Sequence, residues 1–114
     1  MITKISTRDL KEMMDSGKKF KLVDVLMGEH YEKEHIKGAI SIPLDEIEKK
    51  AERLLEKNEP IVTYCAGFKC LASTGAAEKL ASMGYKNVSD YKGGLQDYKA
   101  NNLPVEGFVH HEQD

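Results

Sequence analysis

Short apolar runs closed by polar residues alternate along this chain with segments whose apolar residues recur at helical spacing. Phe20-Lys21-Leu22-Val23-Asp24-Val25, Ala39-Ile40-Ser41-Ile42-Pro43, Pro60-Ile61-Val62-Thr63-Tyr64 and Asn87-Val88-Ser89-Asp90-Tyr91 read as strands. Between them, Leu10, Met13 and Met14 mark one helical face, closed by Gly17. A polar stretch from Gly28 to Lys37 suits a short helix before Gly38. Ile47, Ala51, Leu54 and Leu55 space a helix over Asp45 to Lys57, and Ala72, Ala76, Ala77, Leu80 and Met83 space one over Leu71 to Met83, ended by Gly84. Leu95 to Asn101 follows the Gly93-Gly94 turn as a last helix. The first helix has a full start signature: Ser6 as cap, Asp9 to close a capping box, and Ile5 to staple onto Leu10. Strands that alternate with helices imply an α/β fold, a mostly parallel sheet covered on both faces. In such sheets ligands bind beyond the carboxyl ends of the strands.

The size and charge of the chain exclude several roles. Its 114 residues fit one domain, 1–114, with 103–114 as a C-terminal tail. A net charge of -2, with lysines interleaved among acids, supplies no basic field for nucleic acid. The apolar runs are far too short to span a membrane, and the start Met1-Ile2-Thr3-Lys4 lacks the apolar stretch of a secretory signal. A cytoplasmic location with reduced thiols is the expectation. The 2 cysteines are too few for a disulfide scaffold and, without clustered histidines, make a poor metal site. His110-His111 reads as exposed polar tail rather than a metal contact. No metal and no cofactor is expected.

One segment carries more chemistry than the rest. The strand Ile61-Val62-Thr63-Tyr64 runs into Cys65, and the loop Ala66-Gly67-Phe68-Lys69-Cys70 then leads into a helix from Leu71. A thiol between a strand end and a helix start sits in the field of the helix dipole and of loop N–H groups. That field favours the nucleophilic thiolate. The competing reading is a packed, inert cysteine, common for this residue type. Cys65 at a strand's carboxyl end, with Asp24 near another, favours the functional reading.

The ordered motifs resemble the rhodanese-like domain family over almost the whole chain. Leu22-Val23-Asp24-Val25 is similar to the family's first strand motif. Glu29-His30-Tyr31 with His35-Ile36-Lys37-Gly38-Ala39-Ile40-Ser41-Ile42-Pro43 is similar to its second. Tyr64-Cys65, Ala76-Ala77, Leu80 and Gly84-Tyr85-Lys86-Asn87-Val88 match the active-site strand, the helix and the next strand, and Lys92-Gly93-Gly94-Leu95 the motif before the last helix. The resemblance implies a parallel sheet of about five strands with helices on both faces. It further implies a sulfurtransferase, free of any cofactor, whose Cys65 carries sulfur as a persulfide, taken from a thiosulfate, polysulfide or persulfide donor and passed to cyanide or to a thiol, either a small molecule or a thiol protein. Two features depart from the family. Leu26 stands where an arginine commonly follows the Asp-Val pair, and the loop holds Lys69 but no arginine, in a segment slightly longer than the family spacing.

The loop residues Ala66, Gly67, Phe68, Lys69, Cys70 and Leu71 are the candidates for holding donor and persulfide. Inward N–H groups would stabilise an anion, Gly67 permits unusual backbone angles, and Lys69 adds a point charge rather than a bidentate fork. With 17 basic residues in the chain, Lys69 is equally readable as a solvated surface residue. Weak use of thiosulfate beside a persulfide donor is therefore expected. Cys70 is a candidate resolving thiol that could attack a Cys65 persulfide. The reading favoured over this has Cys70 pointing away at the helix start. Phe68 walls the pocket or sits at the loop tip. Asp24 supports the site through backbone hydrogen bonds or, by preference, serves the strand end structurally. His35 packs locally, and Glu29 and Glu32 form a solvated helix face. A phosphatase of related fold would carry arginine where Leu71 stands and is disfavoured. The remaining alternative is a non-catalytic binding or redox-sensing module.

Overall fold

A computed structural model describes residues 2–107. In chain order the elements are β1 (Thr3–Ile5), α1 (Thr7–Asp15), β2 (Lys21–Asp24), α2 (Gly28–Lys33), β3 (His35–Ile36), β4 (Ile40–Ser41), a single 3-10 turn (Leu44–Glu46), α3 (Ile47–Leu54), β5 (Ile61–Tyr64), α4 (Ala72–Ser82), β6 (Val88–Tyr91), α5 (Gly94–Ala100) and β7 (Val105–Glu106). Five strands form one parallel sheet in the order β1-β6-β5-β2-β4, which puts β5 at its centre. No helix among the described residues is long and apolar enough to cross a membrane. His110 and His111 lie outside the described residues.

Alternation along the strands decides which helix covers which face. Val23, Ile61 and Val88 point to one side and pack with Ile47 and Ala51 of α3 and Ala76, Ala77 and Leu80 of α4. Leu22, Val62, Tyr64 and Tyr91 point to the other and pack with Leu10 of α1 and Tyr98 of α5. Cys65, one step past Tyr64, falls on the α3/α4 side. Both faces of β5 are thus dry, as a parallel central strand requires.

Local signals set the element ends. Ser6 Oγ accepts the Asp9 N–H and Asp9 Oδ2 accepts the Ser6 N–H, each at 3.0 Å, so the capping box forms. Three features differ from the sequence reading. β1 is an additional parallel edge strand, too short at three residues to show a period of two. The short helix expected within Gly28 to Lys37 forms over Gly28–Lys33, but His35-Ile36 after it pair antiparallel with Val105-Glu106, so part of the expected tail is a strand. Leu54 sits off the buried stripe of α3 and is 42% exposed, while Ile47, Ala51 and Leu55 are buried.

Candidate active site

The site is built where β5 ends. Cys65 is only 1% exposed and belongs to the apolar cluster beneath α4. Thr63, two residues earlier on the same side, donates its hydroxyl to the Ser73 carbonyl at 2.9 Å and so ties β5 to the start of α4. Beyond Cys65 the chain turns tightly: the Cys70 N–H donates to the Gly67 carbonyl at 3.0 Å. Helix α4 begins only at Ala72, with Leu71 as its N-cap. Cys70 therefore lies within the turn and not on the helix surface. The structure places it against Cys65 in a disulfide, with a Cα–Cα distance of 6.4 Å, within the range such a bond needs. The expectation that Cys70 points away is corrected by this turn, which reverses the chain toward the strand end.

Two clamps hold the loop. On one side the Leu95 N–H donates to the Cys65 carbonyl at 2.9 Å and the Gln96 N–H to the Ala66 carbonyl at 2.8 Å. These first-turn amides of α5 have no acceptor within their own helix. Here the loop supplies it. Gly94 permits the approach, with φ +62 and its Cα against the Cys65–Gly67 backbone. On the other side, Lys92 Nζ donates to the Cys70 carbonyl at 2.9 Å and to Thr74 Oγ1 at 3.3 Å. Thr74 Oγ1 and Ser73 Oγ each donate to the carboxylate of Asp90 at 2.6 Å. Asp90 is fully buried, and its hydroxyl partners are what make a buried carboxylate tolerable there.

Sequence reasoning named Lys92-Gly93-Gly94-Leu95 only as a motif and passed over Ser73, Thr74, Asp90 and Gln96. A usable signal existed. Asp90 occupies the inward register of a short apolar strand, shared with Val88, and an acid at such a position demands nearby donors.

Ala66, Gly67, Phe68, Lys69 and Cys70 line a surface depression of about 560 Å³, joined by Gln96. Leu71 is not among its lining residues and is 75% exposed. Phe68 both lines the depression and projects outward, at 63% exposure. Lys69 is exposed. The positive end of the α4 dipole lies where the loop ends, adjoining the thiol pair. Among the described residues no cluster of three or more His, Cys, Asp or Glu could hold a metal ion.

Asp24 lies one strand away and does not join the depression. Its Oδ1 accepts the Leu26 N–H at 3.0 Å and its Oδ2 accepts the Tyr64 hydroxyl at 2.8 Å. Tyr64 OH in turn accepts the Ile36 N–H at 2.9 Å. Asp24 thus braces the β2–β5 ends and the β3 segment, the structural role preferred from sequence. His35 packs locally, stacked on Tyr31 with Nδ1 2.7 Å from the Tyr31 carbonyl.

Burial raises the pKa of Asp24 above its ordinary 3.8, against the lowering pull of the Leu26 and Tyr64 hydrogen bonds. The folded state then holds the proton more tightly than the unfolded chain. Stability therefore falls as pH rises from that ordinary value through the raised one. Asp24→Asn is expected to remove this slope, and to carry a separate pH-independent cost because an amide NH2 replaces one of the two oxygens that accept from the Leu26 N–H and the Tyr64 hydroxyl. Urea unfolding of both proteins across acid to neutral pH checks it. Parallel stability curves would contradict the assignment.

Comparisons with known proteins agree with this architecture. A family model of the rhodanese-like domain matches residues 6–101. YrkF of Bacillus subtilis, named as a sulfur carrier protein, is 35% identical over 97 residues, which cover 85% of this chain and 51% of YrkF. The chain thus spans about half the length of that relative. The thiosulfate sulfurtransferase PspE of Escherichia coli is 40% identical over 76 residues, covering 66% of this chain and 70% of PspE. Among solved structures, the BH2092 protein of Bacillus halodurans superposes with a TM-score of 0.88 at 34% identity, over 94% of this chain and 78% of that one.

Proposed function

The chain belongs to the rhodanese-like domain family, and on that premise we propose that it is a sulfurtransferase carrying sulfane sulfur as a persulfide on Cys65. The observation that carries the reading is the position of Cys65. It ends the central strand, precedes a clamped loop, and adjoins the N-terminus of α4. In its reduced form the Cys65 thiolate attacks the outer sulfur of a donor. With thiosulfate, the donor's S–S bond breaks and sulfite leaves with the bonding pair. With a persulfide donor, a thiolate leaves. A thiol or cyanide acceptor then attacks the sulfur held on Cys65, and the Cys65 thiolate is the leaving group. The loop clamps fix the sulfur in place for both attacks, and the α4 dipole favours the anionic forms.

The donor class follows from what faces the loop. Lys69 provides a mobile charge, and there is no arginine fork in the loop for a compact oxyanion. Persulfide and polysulfide donors depend less on such a fork. Small-molecule donors and thiol acceptors are accordingly the partners of this site.

The test is mass spectrometry of reduced Cys70→Ser, whose Cys65 has no neighbouring thiol, after brief exposure to thiosulfate or to glutathione persulfide. One added sulfur atom, mapped to Cys65, is expected with at least the persulfide donor. Sulfur mapped elsewhere than Cys65, or no adduct with either donor, overturns the reading.

A further inference from the structure

The thiol pair has a consequence beyond transfer. We propose that Cys70 is a resolving thiol that lets this domain release sulfane sulfur as sulfide. The proposal rests on the reading of Cys65 as the persulfide carrier.

Three observations carry it. First, Cys70 is within bonding reach of Cys65, and the two are joined in the structure. Second, the backbone holds them there without help from the sulfur–sulfur bond. The Cys65 carbonyl accepts from Leu95, the Cys70 N–H donates to Gly67, and the Cys70 carbonyl accepts from Lys92, itself linked through Thr74 to Asp90. Reduction leaves these bonds intact, so the thiols stay opposed. Such positioning gives an intramolecular attack a large advantage over an external thiol. Third, the two sulfurs differ in access. Cys65 is buried, whereas Cys70 is partly exposed and lines the depression.

The Cys70 thiolate attacks the inner sulfur of the Cys65 persulfide. The bond from Cys65 to the outer sulfur breaks, and that sulfur leaves as hydrosulfide with the bonding pair. A Cys65–Cys70 disulfide forms. The two cysteine sulfurs have together given up two electrons relative to their thiolates, and the sulfane sulfur has gained them. Return to the start needs a thiol reductant, either a dithiol protein or two equivalents of a small thiol. Access directs the first reductant thiolate to Cys70. That attack gives a mixed disulfide on Cys70 and frees Cys65 as the leaving thiolate. A second thiolate attacks the reductant's own sulfur, releases Cys70, and departs as the oxidised reductant. Each cycle thus converts one sulfane sulfur and two thiols into one sulfide and one disulfide.

The experiment is a single turnover without reductant. Reduced, desalted wild type and Cys70→Ser are mixed with glutathione persulfide and the excess donor is removed by rapid gel filtration. Protein mass and released sulfide are then followed against a protein-free control. Wild type is expected to end two hydrogens lighter than its reduced form, with one sulfide per chain. Cys70→Ser is expected to keep its added sulfur on Cys65 and to release sulfide at least about a hundredfold more slowly until dithiothreitol is added. A wild type that retains the added sulfur, or a Cys70→Ser that releases sulfide at the wild-type rate, overturns the resolving role alone. A folded Cys70→Ser that takes up no sulfur overturns the persulfide reading of Cys65 and this role with it.

Discussion

Cys65→Ser is expected to lower sulfane-sulfur transfer by at least about a thousandfold, the scale on which loss of an enzyme's nucleophile is felt. Serine retains the shape of the side chain but not its chemistry. Its hydroxyl is barely ionised at neutral pH, where a thiol beside a helix N-terminus can be substantially thiolate. An oxygen also cannot store the transferred atom in an S–S bond. The variant has a structural cost as well. Cys65 packs among Val25, Ile42 and Ala76, and a hydroxyl there would lack a guaranteed partner, at about 1–3 kcal/mol. Cys65→Ala avoids that penalty, leaving a small void instead. Both variants lose the disulfide, so stability is compared with reduced wild type. Transfer lost in both, with Cys65→Ala folding as reduced wild type does, assigns the loss to the missing thiolate. Residual transfer above a few per cent of wild type in Cys65→Ala would move the sulfur carrier elsewhere, with Cys70 the next thiol to test.

The sequence revealed the layers more readily than the clamps. Adjacent apolar residues at Leu22-Val23 and Ile61-Val62 mark strands that are dry on both faces, and the 76, 77, 80 stripe marks the helix that covers Cys65. Those patterns are local and survive being read one window at a time. The pairing of His35-Ile36 with Val105-Glu106 joins segments about seventy residues apart. Neither partner is long enough to announce itself. The fate of Cys70 had the same character. Whether it faces Cys65 depends on one hydrogen bond, from Cys70 to Gly67, and on where α4 begins, a boundary that sequence places only to within a few residues. Asp90 and Lys92 were hidden for another reason. Their partners Ser73 and Thr74 come from α4 and Cys70 from the turn before it, and the parallel register of β5 and β6 brings them together.

Gly94→Ala is expected to injure the site more than any other single methyl addition at the loop. At φ +62 an alanine pays about 1–2 kcal/mol for the left-handed backbone alone. Its Cβ would also collide with the Cys65 carbonyl oxygen and stand 2.9 Å from Gly67 N and 3.0 Å from the Ala66 carbonyl carbon. These are backbone atoms, which cannot rotate aside as a side chain would. Relief requires α5 to move away from the loop. That motion breaks the hydrogen bonds from Leu95 to Cys65 and from Gln96 to Ala66, each worth about 1 kcal/mol. The sum is about 3–4 kcal/mol, or a fall in Tm of about 10–15 °C for a domain of this size. Displacing the Cys65 carbonyl by even part of an ångström should reduce transfer at least tenfold in protein that remains folded. Gly17→Ala supplies the comparison. Gly17 also has a positive φ, +76, but an added Cβ there meets nothing within 4 Å. It should cost only the backbone term and leave transfer at the wild-type rate. Thermal melts and kcat/KM of the two variants, side by side, separate strain from collision. If Gly94→Ala matches Gly17→Ala in both, the α5 clamp does not position the sulfur-carrying loop.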